Sequence, residues 1–245
     1  MISRIPNFWA LAFEQCPADL DQYIQPDDSK LFAEALVSLN VRRFEPDVSP
    51  RSVEITMTFK KDNEWLEDEV LTKKFYFRRG GPDWRGLVSE PVQVRWKKGK
   101  DLTNGLTDMA HKLFEVRKAK GLLGGGDWSA AALSSLKEHK ELAKKLAGND
   151  PSQFSFFTFF GFVSERRWAS AEESAKLDRQ FREAREQHLP QTEDVDDDTY
   201  KRDELDADVE ICPHGDDIAT YIAEDLFPNA IKYFGECTHS HSAQR

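Results

Sequence analysis

The sequence predicts an α+β fold in which helices cover one face of an antiparallel, four-stranded sheet. Three observations lead to this prediction. Helical periodicity dominates the first 40 residues, alternation with period two follows up to residue 96, and helical patterns return after it. The chain has 245 residues, 39% hydrophobic, and its seventeen Phe residues provide material for a sizeable core.

Two helices are predicted before the sheet. The segment NFWALAFEQCP carries a broad apolar face, with Asn7 as its cap and Pro17 at its end. A second helix fits DSKLFAEALVSLN, residues 28–40, with Ser29 or Asp28 as the cap. Both segments repeat apolar residues at helical spacing, so we expect each to bury one face.

Four strands are predicted between residues 41 and 96. VRRFEP supplies an edge strand, VEITMTFK and EVLTKKFYFRR follow, and SEPVQVRW is the last. In VEITMTFK the apolar residues Val53, Ile55, Met57 and Phe59 share one face. Short turns between consecutive strands favour an antiparallel meander with one solvated face.

The composition changes after the sheet. Residues 104–150 contain two helix-like stretches separated by GLLGGGD, and we interpret them as a helical insertion on the sheet. PSQFSFFTFFGF is so aromatic that we expect it to be largely buried. ASAEESAKLDRQFREAREQHL predicts a charged helix, and HGDDIATYIAEDLFPNAIKYFGE a final helix whose first part ends at Pro228. Residues 237–245 are predicted to form a disordered tail.

The stretch Thr192–Glu210 carries ten carboxylates and only two bases. Its alternating aspartates resemble the first ligands of a calcium loop, but Thr199 and Leu205 stand where such a loop needs Gly and Glu. The alternative is a solvated, disordered acidic loop over residues 189–213, because dense like charge opposes packing. Either way, the charge suits a cationic partner.

Motifs for metals and catalysis give little support to an enzyme. Suitable zinc ligands occur at Cys212, His214, Cys237, His239 and His241, but their spacing is not that of a zinc finger, and incidental residues are the alternative. GLLGGGD lacks the ending of a phosphate-binding loop, so we interpret it as a linker. We therefore expect a protein without enzymatic activity, metal or cofactor.

The charge balance limits the kinds of binding partner that the sequence predicts. A net charge of −10 and a pI near 5.2 favour a cationic partner, with weak or no DNA binding. The basic turn KKGKDLT beside Trp96 suits either phosphate contacts or protection of a sheet end. His111, His139 and His188 lie in polar helical stretches and are expected to be exposed. No apolar run approaches the ~20 residues of a membrane span, so no membrane association is expected.

Four stretches resemble, in order, signature segments of the nucleosome assembly protein (NAP/SET) family of histone chaperones. They are IPNFWALAF, SEPVQVRWKKGKDLT, SFFTFF and IAEDLFPNAIKYF. The resemblance covers residues 4–103 and 152–236 and is closest to the SET branch and its fungal Vps-type relatives. It implies an "earmuff" domain, placed at residues 1–236. It also implies binding of core histones, H3–H4 in particular, assistance in nucleosome assembly and disassembly, a histone acetyltransferase as a second partner, and a location in the nucleus and also in the cytoplasm.

The resemblance implies histone-contacting residues as well. Thr158 in SFFTFF matches a histone-contacting threonine of the SET branch, and Glu224 and Asp225 match an acidic pair before the Pro of the last helix. Gly161 and Phe162 stand where the SET branch has its next contacts. The acidic run adds further candidates for histone binding: Asp194, Asp196, Asp197, Asp198, Asp203 and Glu204.

Two departures from the family pattern lead to further expectations. Family members carry a long N-terminal dimerisation helix before IPNFW, whereas only MISR precedes it here, so a monomer is expected. The stretch 104–150 is longer than the usual connection. An alternative function is a non-catalytic adaptor or inhibitor that docks a histone acetyltransferase or a phosphatase through this insertion, and the basic helix SLKEHKELAKKLAG within it motivates this alternative.

Overall fold

One antiparallel sheet with helices packed on one side organises the chain, as predicted. The computed structural model describes residues 5–16, 20–81, 84–124, 129–187 and 197–242, and only the backbone of 197–200 and 237–242. The sheet has the order β1-β2-β3-β4. Its strands are β1 Leu36–Arg42, β2 Val53–Phe59, β3 Val70–Arg79 and β4 Arg85–Ser89.

The alternation of β2 decides which face of the sheet is buried. Val53, Ile55, Met57 and Phe59 are all at most 2% exposed, which confirms the predicted apolar face. The opposite face is polar, and there the hydroxyls of Thr56 and Thr72 lie 3.1 Å apart across β2 and β3. The sheet is thus solvated on one side, as expected for an antiparallel meander.

Helices precede and follow the sheet. Within the described residues the α-helices are α1 Phe8–Glu14, α2 Pro26–Ala35, α3 Leu106–Ala119, α4 Ala130–Ser135, α5 Lys137–Leu146, α6 Ala171–Glu186, α7 Asp197–Ala207, α8 Gly215–Tyr221 and α9 Phe227–Ser242. Short 3₁₀ helices cover Asp21–Tyr23, Pro151–Gln153 and Phe156–Gly161, and a π-helical turn covers Ile222–Leu226.

Both edge strands were misplaced by the sequence analysis. The predicted second helix ran to residue 40, but the backbone turns extended at Leu36 and β1 begins there, so VRRFEP is not the edge strand. The fourth strand is Arg85–Ser89 rather than SEPVQVRW. Pro91 has no N–H to donate to a ladder, and the Val92 N–H instead donates to the carbonyl of Phe160 at 2.7 Å.

Asn7 stands at the N-cap position of α1, as predicted, but it adopts a left-handed conformation, φ 56°, and its side chain makes no capping hydrogen bond. The predicted cap of the second helix was wrong. The cap of α2 is Gln25, whose backbone N–H donates to the Asp28 carboxylate at 2.9 Å. Asp28 is therefore the third residue of the helix, and it is completely buried. Its carboxylate also accepts hydrogen bonds from the Ser155 hydroxyl and the Phe156 N–H, at 2.5 and 2.7 Å.

The aromatic segment SFFTFF forms the centre of the main core. Phe156, Phe157, Phe159 and Phe160 are at most 2% exposed and pack between the sheet and the N-terminal helices, which confirms the predicted burial. Phe156 contacts the rings of both Phe13 and Phe32. This segment therefore connects the packing of the sheet with that of the N-terminal helices.

Residues 104–150 build a second apolar cluster beside the main core. Helices α3 and α5 contribute Leu106, Leu113 and Leu142 to this cluster, and Val209 and Ile211 complete it from the other end of the chain. A Cβ on Gly161 would collide with the Ile211 side chain, so this glycine allows the aromatic segment and the second cluster to approach closely.

The final helix was predicted to have a first part that ends at Pro228, but the α-helix already gives way to a π-helical turn at Ile222–Leu226, and Pro228 is the second residue of α9. The helix then continues to Ser242, so the backbone of 237–242 is helical rather than disordered. Proline is tolerated in the first turn of a helix, where its missing N–H is not needed. The Asn229 side chain donates to the carbonyl of Asp225 at 3.0 Å. Within the described part of the chain, no helix is both long and apolar enough to cross a membrane.

Candidate functional site

Most of the described part of the acidic run is helical. Helix α7 covers Asp197–Ala207, so the expected disordered loop is wrong over that stretch. Asp197 and Asp198 begin the helix, where negative charge is favourable because of the helix dipole. Asp194 and Asp196, and with them the expected start of a calcium loop, lie outside the described residues.

Helix α7 is ordered because its inner side carries a buried ion-pair network. The Asp206 carboxylate lies 2.6 Å from the guanidinium of Arg117 on α3 and 3.6 Å from that of Arg202. Arg202 is 2% exposed and also donates to the carbonyls of Leu122 and Gly124. Because the cation of Arg202 packs inward, the outer side of the helix carries carboxylates.

His139 belongs to the same network, although it was expected to be exposed. It is 4% exposed, and its Nδ1 lies 3.2 Å from Arg117. Burial, followed by the positive charge of Arg117, lowers the pKa of His139. The imidazole is therefore neutral at pH 7 and accepts the guanidinium N–H. A polar helix hid this residue, because only its inner face at His139 and Leu142 is buried.

The outer side of α7 carries carboxylates that were predicted to bind histones. Glu204 is exposed and Asp203 is half-buried, while Lys201 is the exposed base of the helix. The last carboxylate of the run, Glu210, points into the protein instead and accepts the N–H groups of Val163 and Cys212, both at 2.9 Å. Among the described carboxylates of the run, Glu204 and Asp208 are therefore the exposed ones.

Glu210 lies near a second buried charge that the sequence analysis missed. Lys73 is completely buried, and its ammonium donates to the carbonyls of Glu90, Phe160 and Phe162 at 2.9–3.0 Å. Burial lowers the pKa of Lys73 to about 7 and raises the pKa of Glu210 to about 7. The signal was present in the sequence, because alternation in LTKKF places Lys73 on the same face as Leu71 and Phe75.

The acidic pair Glu224 and Asp225 occupies the π-helical turn. Glu224 is exposed and pairs with Arg43 at 2.9 Å. Asp225 accepts the Tyr233 hydroxyl at 2.8 Å and the Asn229 side chain at 2.9 Å. Such turns occur frequently at functional sites. Glu224 can exchange its intramolecular arginine for one of a partner, whereas Asp225 mainly fixes the turn.

Thr158 lies at the bottom of a cavity rather than on the open surface. It is 4% exposed and its hydroxyl donates to the carbonyl of Ser155 at 2.9 Å. The cavity is also lined by Tyr23, Cys212 and His214. A partner can therefore reach Thr158 only by entering this cavity.

The zinc hypothesis gains no support from the described side chains, in which no group of three metal-ligating residues comes together. Cys212 is buried, and burial strongly raises the pKa of its thiol. His214 is exposed, and its Nδ1 lies 3.7 Å from Asp217. The side chains of Cys237, His239 and His241 are not among those described.

The helix-and-sheet architecture, the acidic helix and the acidic turn are accompanied by a family match. The sequence model described as "Nucleosome assembly protein (NAP)" matches residues 2–236. The chain belongs to the nucleosome assembly protein family. This confirms the family resemblance carried by IPNFWALAF, SFFTFF and the two other segments. The family's histone chaperones are binding proteins rather than enzymes, in agreement with the sequence-based expectation.

Relatives with known names extend the match. A Schizosaccharomyces pombe protein named as a putative nucleosome assembly protein is 32% identical over 144 residues, which cover 55% of this chain and 58% of the relative. NAP1-related protein 2 of Arabidopsis thaliana is 37% identical over 106 residues, 43% of this chain and 38% of the relative. Protein SET of Drosophila melanogaster is 32% identical, with 42% and 37% covered. The matched region thus spans roughly two fifths to three fifths of these relatives.

Solved structures agree on the fold. The structure of Ccp1 is 23% identical with a TM-score of 0.52, and the match covers 97% of this chain and 77% of that one. The structure of Vps75 is 18% identical with a TM-score of 0.50, and the match covers 97% and 80%. These likenesses establish the NAP fold and leave the binding residues to be argued from the chain itself.

Proposed function

We propose that this protein is a histone chaperone that binds core histones through an acidic surface and assists nucleosome assembly and disassembly in the nucleus. The family match over residues 2–236 carries the proposal. The pair H3–H4 is proposed as the preferred cargo, and a histone acetyltransferase as a second partner. A binding role also fits the net charge of −10, because histones are basic.

The proposed mechanism is charge neutralisation. Carboxylates on α7 and at Glu224 engage histone lysines and arginines that would otherwise bind DNA phosphates, and arginine in particular forms bidentate pairs with carboxylates. Each exposed pair contributes only ~0–1 kcal/mol, so affinity needs many pairs together. Salt should weaken the complex, because exposed charges are screened.

The anchoring of α7 supports this mechanism energetically. Arg202 and Asp206 hold the inner side of the helix against α3, so the outer carboxylates are already positioned before a histone arrives. A disordered acidic segment would lose conformational entropy on binding, whereas an anchored helix has lost most of it during folding. The carboxylates therefore act as a fixed surface.

A pull-down tests the proposal with the recombinant H3–H4 pair and, separately, with the other core-histone pair, at low, physiological and high salt concentration. We expect both pairs to bind at the lowest salt concentration, with H3–H4 retained longest. The variant Asp197→Asn/Asp198→Asn/Glu204→Gln should weaken binding severalfold. Its charge-matched control changes three exposed acids of α6 to Gln, namely Glu172, Glu183 and Glu186. Failure of the unaltered protein to bind either pair at low salt would refute the proposed function.

Helix α5 supports the alternative role as an adaptor for an acetyltransferase or a phosphatase. Its outer face exposes Lys137, Lys140 and Lys144, while Leu142 is buried in the second apolar cluster. Deletion of residues 104–150 would therefore disrupt the core. Changing the three lysines to Ser should instead abolish enzyme binding, leave histone binding intact and preserve the fold. Unchanged enzyme binding would argue against α5 as the docking site.

A further inference from the structure

A cavity of about 190 Å³ lies between the 3₁₀ helices Asp21–Tyr23 and Pro151–Gln153 and the start of α8. The rings of Tyr23 and His214 lie against each other in its wall, with centroids 5.5 Å apart, and Thr158 and Cys212 lie buried at its bottom. At ~30 Å³ per water-sized group, such a volume holds roughly six non-hydrogen atoms. That is the size of one long side chain.

The cavity adjoins a cleft of about 530 Å³, and Pro151, Phe154 and Pro213 line both. The cleft runs to the last turn of α5 and to Ala207, where α7 ends. We call the cavity and the adjoining cleft together the groove; the three residues that the two parts share are apolar in their side chains. Its dimensions suit an extended peptide segment that inserts one side chain.

The charges along the groove select its occupant. Asp150 stands at the rim of the cavity and the exposed Asp208 lines the cleft, whereas Lys144 is the cation among the described lining residues. Glu210 also lines the cleft, but its carboxylate is already engaged by the N–H groups of Val163 and Cys212. The acidic helix α7 leads directly to the cleft through Ala207. Aromatic faces such as that of Tyr23 attract cations, and apolar walls accept the methylene stem of a long basic side chain.

We propose that this groove binds a basic peptide segment and that one of its lysine or arginine side chains enters the cavity beside Tyr23 and His214. The inference rests on the proposed function, because it specifies where a histone segment docks. It adds apolar contact area to the exposed ion pairs, which contribute little individually. It also explains how a buried Thr158 reaches a partner.

Fluorescence anisotropy with a labelled short peptide that alternates Lys or Arg with Ala tests the inference, with a Gln-for-Lys/Arg peptide as the control. Ser152, which is exposed and lines the cavity, is changed to Trp to fill its mouth. We expect Ser152→Trp to weaken binding of the basic peptide at least fivefold and Asp150→Asn about two- to threefold. The matched control, Asp62→Asn in the β2–β3 turn, should bind like the unaltered protein.

The inference is overturned if Ser152→Trp binds the basic peptide as tightly as the unaltered protein, or if the Gln peptide binds equally well. If Ser152→Trp lowers the melting temperature by several degrees, the test uses His214→Ala instead. This variant changes an exposed side chain and should also weaken binding of the basic peptide. Core-histone binding of the unaltered protein is measured in parallel. If the unaltered protein does not bind core histones, the proposed function is refuted. If it binds core histones but the variants bind the basic peptide as tightly as the unaltered protein, only the groove is refuted.

Discussion

Arg202 is the residue on which the placement of the acidic helix depends most directly. Its buried guanidinium donates to the carbonyls of Leu122 and Gly124 and lies 3.6 Å from the Asp206 carboxylate. The substitution Arg202→Met keeps an apolar stem of similar length and removes these contacts. We expect α7 to detach locally while the main core stays folded.

The expected size follows from the contacts. Hydrogen bonds to charged groups contribute about 1.5–3 kcal/mol each, and removing one member of a buried pair is more costly still. Two effects reduce the loss of stability. Asp206 keeps its ion pair with Arg117 at 2.6 Å, and the variant no longer has the cost of burying the Arg202 guanidinium. A net cost of about 2 kcal/mol remains, and it corresponds to a roughly thirtyfold increase in local opening.

Hydrogen–deuterium exchange measures this opening. Amides of α7 should exchange roughly thirtyfold faster in Arg202→Met, at ~1.4 kcal/mol per factor of ten, whereas those of β2 and β3 should be unchanged. The control is Lys201→Met, which removes the same charge from an exposed neighbour on the same helix. Equal protection of α7 in both variants would refute the anchoring role of Arg202.

Two further predictions concern the core and its pH dependence. Asp28→Ala leaves the N–H groups of Gln25 and Phe156 and the Ser155 hydroxyl without their acceptor. Thermal unfolding should therefore show that the free energy of unfolding falls by about 3–5 kcal/mol, with Asp27→Ala as the exposed control. A decrease below about 1 kcal/mol would contradict the role of this hydrogen-bond network. Burial, followed by Asp217, raises the pKa of Asp216 from 3.8 to about 6, so the folded state holds this proton more tightly and stability falls as pH rises from about 4 to 6. Asp216→Asn should therefore melt about 2–4 °C above the unaltered protein at about pH 7.5 and show no such gain at about pH 4, and a gain independent of pH would contradict this assignment.

The main sheet and the aromatic core could be predicted from sequence because their patterns are strong and local. Alternation fixed the buried face of β2, and the density of Phe in SFFTFF left burial as the only reasonable prediction. The boundary between α2 and β1 could not be found in the same way, because Leu36 and Leu39 are three residues apart, which fits a helix. A regular strand would place them on opposite faces, but here the register shifts between Leu36 and Ser38, and both leucines are buried. There the decision comes from tertiary packing rather than from local preference.

The candidate site was harder to predict for a different reason. A count of charges in Thr192–Glu210 treats every carboxylate alike, but the fold separates them by their partners. Asp206 and Glu210 are used internally, by Arg117 and by the backbone N–H groups at Val163 and Cys212, while Glu204 faces solvent. Arg117 and Val163 lie 89 and 47 residues away in sequence from the carboxylates they contact, so no local pattern could indicate them.

This separation bears on how one acidic segment can be both ordered and available for binding. Ten carboxylates in nineteen residues would repel one another if all remained in one solvated stretch. Burying Asp206 beside Arg117 and Arg202 turns part of that charge into a structural anchor, and satisfying Glu210 with N–H groups fixes the segment's end. The exposed carboxylates of Glu204 and Asp208 are thereby held at a defined surface, and Asp208 lines the cleft, so neutralising both should weaken histone binding without unfolding α7. Neutralising Asp206 should instead unfold or release α7, because it removes the anchor, while the outer charge stays in place.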